Sequence, residues 1–387
     1  MEDETLITTL YAGFFSILGA FCYAEFYKEE NIVENFVNDI KEKVSVHNSF
    51  FADHNRSSMS SIDTLFIDDF SRQEVSDSVS VINDSLERVV SSRPDCDAVK
   101  KEFESKRVPV LMFHRLGERE DRYTVSPGNF ERLLHSLYVN DFYSVSLEEF
   151  LDGDFSSVPV GKKPVLITFD DAHVSQFRLN SDGSVCGRSA VGVMESFYET
   201  YDFGSKPVFF VSFGGRNNFS LPFGQKDVAS DKMKFLVDNG YGVGYHTVFH
   251  DNNTNASRNN VLEQYVLSSS LFHNLLGSER FESIRSTKAH PFGAVPTSEV
   301  VFDYMVEKYS DGLFNAWGGP SRHPLSSNFD IYRIPRIEIT YHSLRSLVLN
   351  VSNLYEVTPE TKKFYDFLNN KTNVYEMKAL EVKGLNK

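Results

Sequence analysis

The chain has 387 residues, 41% hydrophobic and 24% charged, enough apolar material for a large core and too much for a disordered protein. Thirty-nine lysines and arginines against 54 acids give a net charge of −15, which argues against a phosphate-binding surface and so against nucleic acid as a partner. Three widely spaced cysteines, Cys22, Cys96 and Cys186, exclude a disulfide framework and a CxxC zinc site; one Cys96–Cys186 bridge stays open, and any metal must be held by histidines and carboxylates.

Residues 1–30 contain an uncharged run from Thr5 to Ala24, and Leu6–Tyr23 reads LITTLYAGFFSILGAFCY. About 20 apolar residues suffice to cross a bilayer as a helix. The flank MEDE lacks the positive start of a signal peptide, and Phe21 before Cys22 spoils a lipoprotein-type site. We therefore expect an uncleaved membrane anchor, with a cleaved signal peptide and a buried soluble helix as the alternatives. Lys28, Lys41 and Lys43 follow the span, which mildly favours a cytoplasmic side for what comes after, so charge alone leaves the orientation open. Residues 31–106 are rich in Ser and Asp and read as a spacer. Val75, Val79, Ile82 and Leu86 predict one amphipathic packing helix near 74–92.

From Val108 short apolar runs alternate with helical stretches. Val108–Phe113, Val165–Phe169, Val208–Phe213, Tyr241–Tyr245 and Ile334–Ile339 predict buried strands. Asn129–Leu137, Ser189–Tyr201, Asp231–Asn239 and Asn260–Leu276 predict helices. Alternation of this kind implies parallel strands covered by helices, an α/β barrel or an open wound sheet, with chemistry at the strand ends. We place this domain at 107–345. The remainder, 346–387, reads as a closing helix and an exposed end.

Several strand ends carry polar residues. Leu166-Ile167-Thr168-Phe169 runs into Asp170-Asp171, adjacent acids that point to opposite sides and can do two jobs, one ligating a cation and one acting as a base. Taken alone, the pair reads more readily as a helix N-cap than as a catalytic pair. His246 and His250 in Tyr245-His246-Thr247-Val248-Phe249-His250 stand four apart, so on a helical turn they would share one face and could ligate one metal. Asp plus two His leaves coordination positions free for water and substrate, as a catalytic metal requires. His114 ends the first strand at the same rim, where a solvated or capping imidazole is an equal alternative. Lys288-Ala289-His290-Pro291-Phe292-Gly293 makes a proline-fixed turn, and Arg336 sits inside the apolar Ile334–Ile337, where burial would demand an acidic partner.

These residues together resemble the polysaccharide deacetylases, the NodB-homology domain of carbohydrate esterase family 4. Thr168-Phe169-Asp170-Asp171-Ala172 is similar to the family's TFDDG motif, His246–His250 to its H-S/T-x-x-H motif and Leu111–His114 to its L-x-x-H motif. That last motif stands first here, as in the circularly permuted branch acting on poly-β-1,6-N-acetylglucosamine, and Pro291-Phe292-Gly293 is similar to that branch's turn. The likeness covers roughly Arg107 to Tyr341. It implies a (β/α)7-type distorted barrel, with Asp170 as general base, Asp171, His246 and His250 as metal ligands and His114 as general acid. It further implies a divalent cation, zinc first with cobalt, nickel or iron also suited to the donors. An N-acetylglucosamine polymer would be the substrate, and His290, Pro291 and Phe292 would touch it. With the anchor, it implies a membrane-bound enzyme whose catalytic domain is extracytoplasmic, at the cell surface or in the periplasm.

Four positions depart from the family pattern. Ala172 stands for glycine, Tyr245 for the Asn before the first ligand histidine, Gly242 for a Glu, and Ala289 where an arginine normally steadies the catalytic Asp. We expect Arg336, or alternatively Lys288, to supply that charge. Arg178–Val191 is an insertion, a surface loop or a lid. An amidohydrolase acting on a small non-sugar amide and a catalytically silent glycan-binding relative remain as other readings.

Overall fold

The computed structural model describes residues 95–340, 353–366 and 369. The expected anchor at 1–30, the helix near 74–92, most of the spacer and the last part of the tail lie outside them. Among the described residues no helix is long and apolar enough to cross a membrane. The described residues fall almost wholly in one compact unit, Asp97–Asp366.

At its centre are eight parallel strands. These are β1 (Val110–Phe113), β2 (Phe142–Ser144), β3 (Lys163–Asp170), β4 (Val208–Val211), β5 (Gly242–Tyr245), β6 (Thr287–Ala289), β7 (Gly312–Phe314) and β8 (Ile337–Glu338). The order runs β7-β6-β5-β4-β3-β1-β8, with β2 pairing the first half of β3. Strands covered on both faces need continuous apolar sequence rather than alternation. β1 and β4 are accordingly buried at every residue, and β3 at all but its first. Ile334 bridges Phe314 in parallel, and three residues later Ile337 pairs with Leu111 of β1. Segment 334–338 thus draws the two ends of the sheet together.

Several helices start at serine caps: Ser126, Ser146, Ser189 and Ser257 each accept a backbone N–H of the first turn. α1 is Cys96–Ser105, α2 is Pro127–Val139, α3 is Leu147–Asp152, α4 is Ala190–Thr200, α5 is Ala229–Asp238, α6 is Arg258–Leu276 and α7 is Ser278–Ser283. α8 is Glu299–Lys308. Ser126 caps α2 ahead of Pro127, and Ser146 with Glu149 forms a reciprocal capping box on α3. Gly204 permits the close approach of β2: its φ is +92°, and a Cβ there would lie 2.2 Å from the Ser144 carbonyl oxygen.

The compact unit is wider than 107–345 on both sides. Val99 and Phe103 of α1 are buried, as are Tyr355, Val357 and Tyr365. Phe103 stacks on His323 with centroids 4.0 Å apart and meets Tyr355 and Phe364 edge-on. Tyr355 N donates to Arg107 O and Arg107 N to Asn353 O, both at 2.8 Å. Residues 359–366 are helical and bury Thr361, Phe364 and Tyr365. Cys186 carries a free thiol, so the bridge to Cys96 that the count left open is not made.

Phe103→Ala is expected to destabilise the protein by about 3–5 kcal/mol, the usual result of emptying a fully buried phenyl site. Urea unfolding checks this; a loss below about 1 kcal/mol would show that α1 is not part of the folded unit.

Candidate active site

Because all eight strands are parallel, their carboxyl ends share one rim, and His114, Asp170, His246 and His290 each follow or end a strand there. Asp170, the last residue of β3, is buried, and Arg336 is fully buried beside it. The guanidinium grips both carboxylate oxygens at 2.7 Å. Its Nε donates to Asn315 O at 2.7 Å and its other terminal hydrogen to Thr168 Oγ1 at 3.1 Å. Burial pushes the Asp170 carboxyl upward, but the opposing Arg336 charge, helped by His246, outweighs it and holds the group below the ordinary carboxylate range. Lys288, the alternative source of that charge, does not serve: its buried amine faces His290 Nδ1 at 3.3 Å and Met305 Sδ at 3.4 Å.

The next residue turns the other way. Asp171 has φ +83° and Ala172 φ +55°, so the turn does need the left-handed backbone that glycine adopts most easily. Asp171 Oδ1 lies 3.4 Å from His246 Nε2 and 3.1 Å from His250 Nε2. One ligand atom from each of these three residues lies within 4.8 Å of the others. His246 Nδ1 donates to Ala289 O at 3.0 Å, which leaves the Nε2 lone pair facing Asp171. Asp171 Oδ1 is buried yet has no hydrogen-bond partner. An orphaned carboxylate oxygen between two imidazole nitrogens, one with its tautomer fixed, fits a divalent cation.

The two histidines are not on a helical turn. Thr247 (φ +59°) and His250 (φ +55°) break any helix, and the segment is an irregular loop. The rings still approach to 5.0 Å between centroids. The loop is shaped by a residue that sequence reasoning missed: buried Gln264 of α6, whose Oε1 accepts from Val248 N at 2.9 Å and Phe249 N at 3.3 Å. Val248 O in turn accepts from Phe213 N at 2.8 Å. Tyr245 packs away from the cluster, stacked on Phe272 at 4.8 Å. A polar partner for His246 therefore comes from the Ala289 carbonyl, not from position 245.

His114 Nδ1 is buried without a partner, and the ring meets Tyr123 edge-on at 5.2 Å. Burial lowers its pKa more than the nearby charges of Asp170 and Asp171 raise it. His290 and Pro291 are buried in the wall, whereas Phe292 is 60% exposed and stands edge-on to His250 at 4.5 Å. Trp317, also missed in the sequence, is 52% exposed and donates its indole N–H to Glu338 at 3.3 Å. The insertion forms a turn closed by a Leu179–Val185 bridge and tied to Gln225, whose amide exchanges two hydrogen bonds with the Leu179 backbone.

No family model and no curated protein matches the sequence. Solved structures do. A polysaccharide deacetylase from Bacillus cereus, BC0361, is 20% identical over 61% of this chain and 65% of its own, with a TM-score of 0.45. The Streptococcus pyogenes deacetylase PplD, solved with acetate, is 18% identical over 60% of this chain and 92% of its own, at 0.45. IcaB from Ammonifex degensii is 19% identical over 62% of this chain and 95% of its own, at 0.43. The chain resembles polysaccharide deacetylases. The match with the Bacillus cereus protein leaves about a third of that protein's length uncovered.

Arg336→Met would strand a buried carboxylate, and a loss of about 3–5 kcal/mol in unfolding free energy is expected at neutral pH. Asp170 is held low in the folded state, so the stability its ionisation contributes is present above the unfolded pKa of about 3.9 and disappears as pH falls through the folded value. Urea titrations of both proteins should therefore converge below about pH 4; a gap independent of pH would contradict the pairing.

Proposed function

We propose that this chain is a divalent-metal-dependent hydrolase that removes N-acetyl groups from an N-acetylglucosamine polysaccharide, releasing acetate. Its fold would be the (β/α)7-type distorted barrel of the NodB-homology kind in circularly permuted order, with His114 on the first strand. What supports this reading best is the juxtaposition of two unlike carboxylates. Asp171 lies among imidazoles with an unpartnered oxygen, and Asp170 is locked in ionised form by Arg336. Asp171, His246 and His250 would hold the cation, zinc first, which would polarise the acetamide carbonyl and make water more acidic. Asp170 takes the proton of the attacking water through lone pairs that Arg336 leaves free. His114 delivers a proton to the nitrogen as the carbon–nitrogen bond breaks, so the sugar leaves as a neutral amine and the acyl carbon as acetate. A lowered pKa makes its imidazolium a stronger acid for that transfer. The exposed faces of Phe292 and Trp317 suit stacking against sugar rings beside the reacting group. The N-terminal segment would anchor the enzyme in a membrane with its catalytic domain outside the cytoplasm.

The deciding measurement is metal content together with acetate release from β-1,6- and β-1,4-linked N-acetylglucosamine oligomers and from a panel of small amides. Acetate from the β-1,6 oligomers, abolished by chelation and reduced at least about 100-fold in Asp170→Asn, is expected. Hydrolysis of small amides alone would move the substrate class, and a loaded cation without any hydrolysis would leave a glycan-binding protein.

A further inference from the structure

We infer that Gln176 is a positioning residue that sets the distance between His114 and the Asp170–Asp171 pair; the inference rests on the deacetylase reading above. The ladder between β1 and β3 ends at the Phe113–Phe169 row. One residue further along each strand, the backbone carbonyls of His114 and Asp170 have lost that ladder. The Gln176 side chain, fully buried, donates one amide hydrogen to each of them. Its orientation is unambiguous, since a flipped amide would press an oxygen against two carbonyl oxygens. One planar group thus ties the residue proposed as acid to the residue proposed as base.

The geometry around the clamp gives it a purpose. Asp171 O accepts from Ser212 Oγ at 3.0 Å and Ala172 O from Phe223 N at 2.7 Å. Each carbonyl of Asp170, Asp171 and Ala172 is therefore held by a different part of the chain, which over-determines a turn with two left-handed non-glycine residues. Only Gln176 also holds His114. Its own Oε1 is buried without a partner, an orphan that costs about 1–3 kcal/mol. A side chain present for packing alone would be better replaced by methionine or leucine; the orphan acceptor is the cost of keeping two donors at this point.

Gln176→Met keeps length and volume and removes both donors, while Gln176→Glu can restore one donor when protonated. For the full-length chain, kcat and KM on acetylated glucosamine oligomers, zinc affinity by calorimetry and melting temperature are to be compared. Expected for the Met variant are a kcat lower by about 10–100-fold, KM within about twofold, and zinc bound about tenfold more weakly because the backbone that leads into Asp171 loses its anchor at the Asp170 carbonyl. The Glu variant should recover activity relative to wild type as pH falls, since a buried carboxyl facing carbonyls has a raised pKa and donates only when neutral. Turnover and zinc affinity in the Met variant within about twofold of wild type would overturn the assignment. So would a loss of kcat that follows melting temperature alone with no recovery of the Glu variant at low pH. A wild-type chain that binds zinc but hydrolyses no acetylated sugar would sink the deacetylase reading and leave the zinc comparison to decide Gln176.

Discussion

A guanidinium with no access to water must have a negative charge beside it, and in this protein that requirement organises the site. Arg336 comes from the segment that draws the sheet ends together, and it reaches across to the last residue of β3. Satisfying it fixes Asp170 in position and in charge. Chain geometry then turns the adjacent Asp171 away from the ion pair and towards the two imidazoles. One buried pair thereby separates two chemically identical side chains into a clamped anion and a carboxylate left facing the imidazoles. The energetic logic is that of any buried salt bridge: the pair adds little net stability, but losing one partner is expensive.

Much of this was legible in the sequence because parallel strands buried on both faces read as uninterrupted apolar runs. VLITF and VFFVSF could hardly be anything else, and the polar residues that end them stand out. β2 (FYS) and β7 (GLF) were missed because three residues carry no period. The rings of His246 and His250 approach to 5.0 Å, but in an irregular loop and not on the helical turn that the spacing suggested. Spacing reports that two rings can meet; whether Thr247 and His250 adopt positive φ depends on Gln264, fourteen or more residues downstream. Gln176 and Trp317 carried no signal at all. A glutamine between a serine and a phenylalanine and a tryptophan before two glycines become informative only when the fold shows what surrounds them.

Left-handed backbone gathers at the rim. Asp171, Ala172, Thr247, His250 and Phe292 are non-glycine residues with positive φ, and all lie in or beside the candidate cluster. Such conformations cost on the order of 1–2 kcal/mol each and persist only where the surroundings enforce them. Here the enforcement is visible in the carbonyl and amide contacts of Ser212, Phe223, Gln264 and the Ala289 carbonyl. Ala172 therefore takes a left-handed conformation without being glycine because its neighbours hold it there.

Trp317 is the chain's single tryptophan, and it is half open to solvent with its N–H on a carboxylate at the edge of the site. Any intrinsic emission excited at the indole band thus originates from this one corner of the molecule. The protein carries a built-in optical reporter of what arrives there, free of the background that several indoles in the core would add.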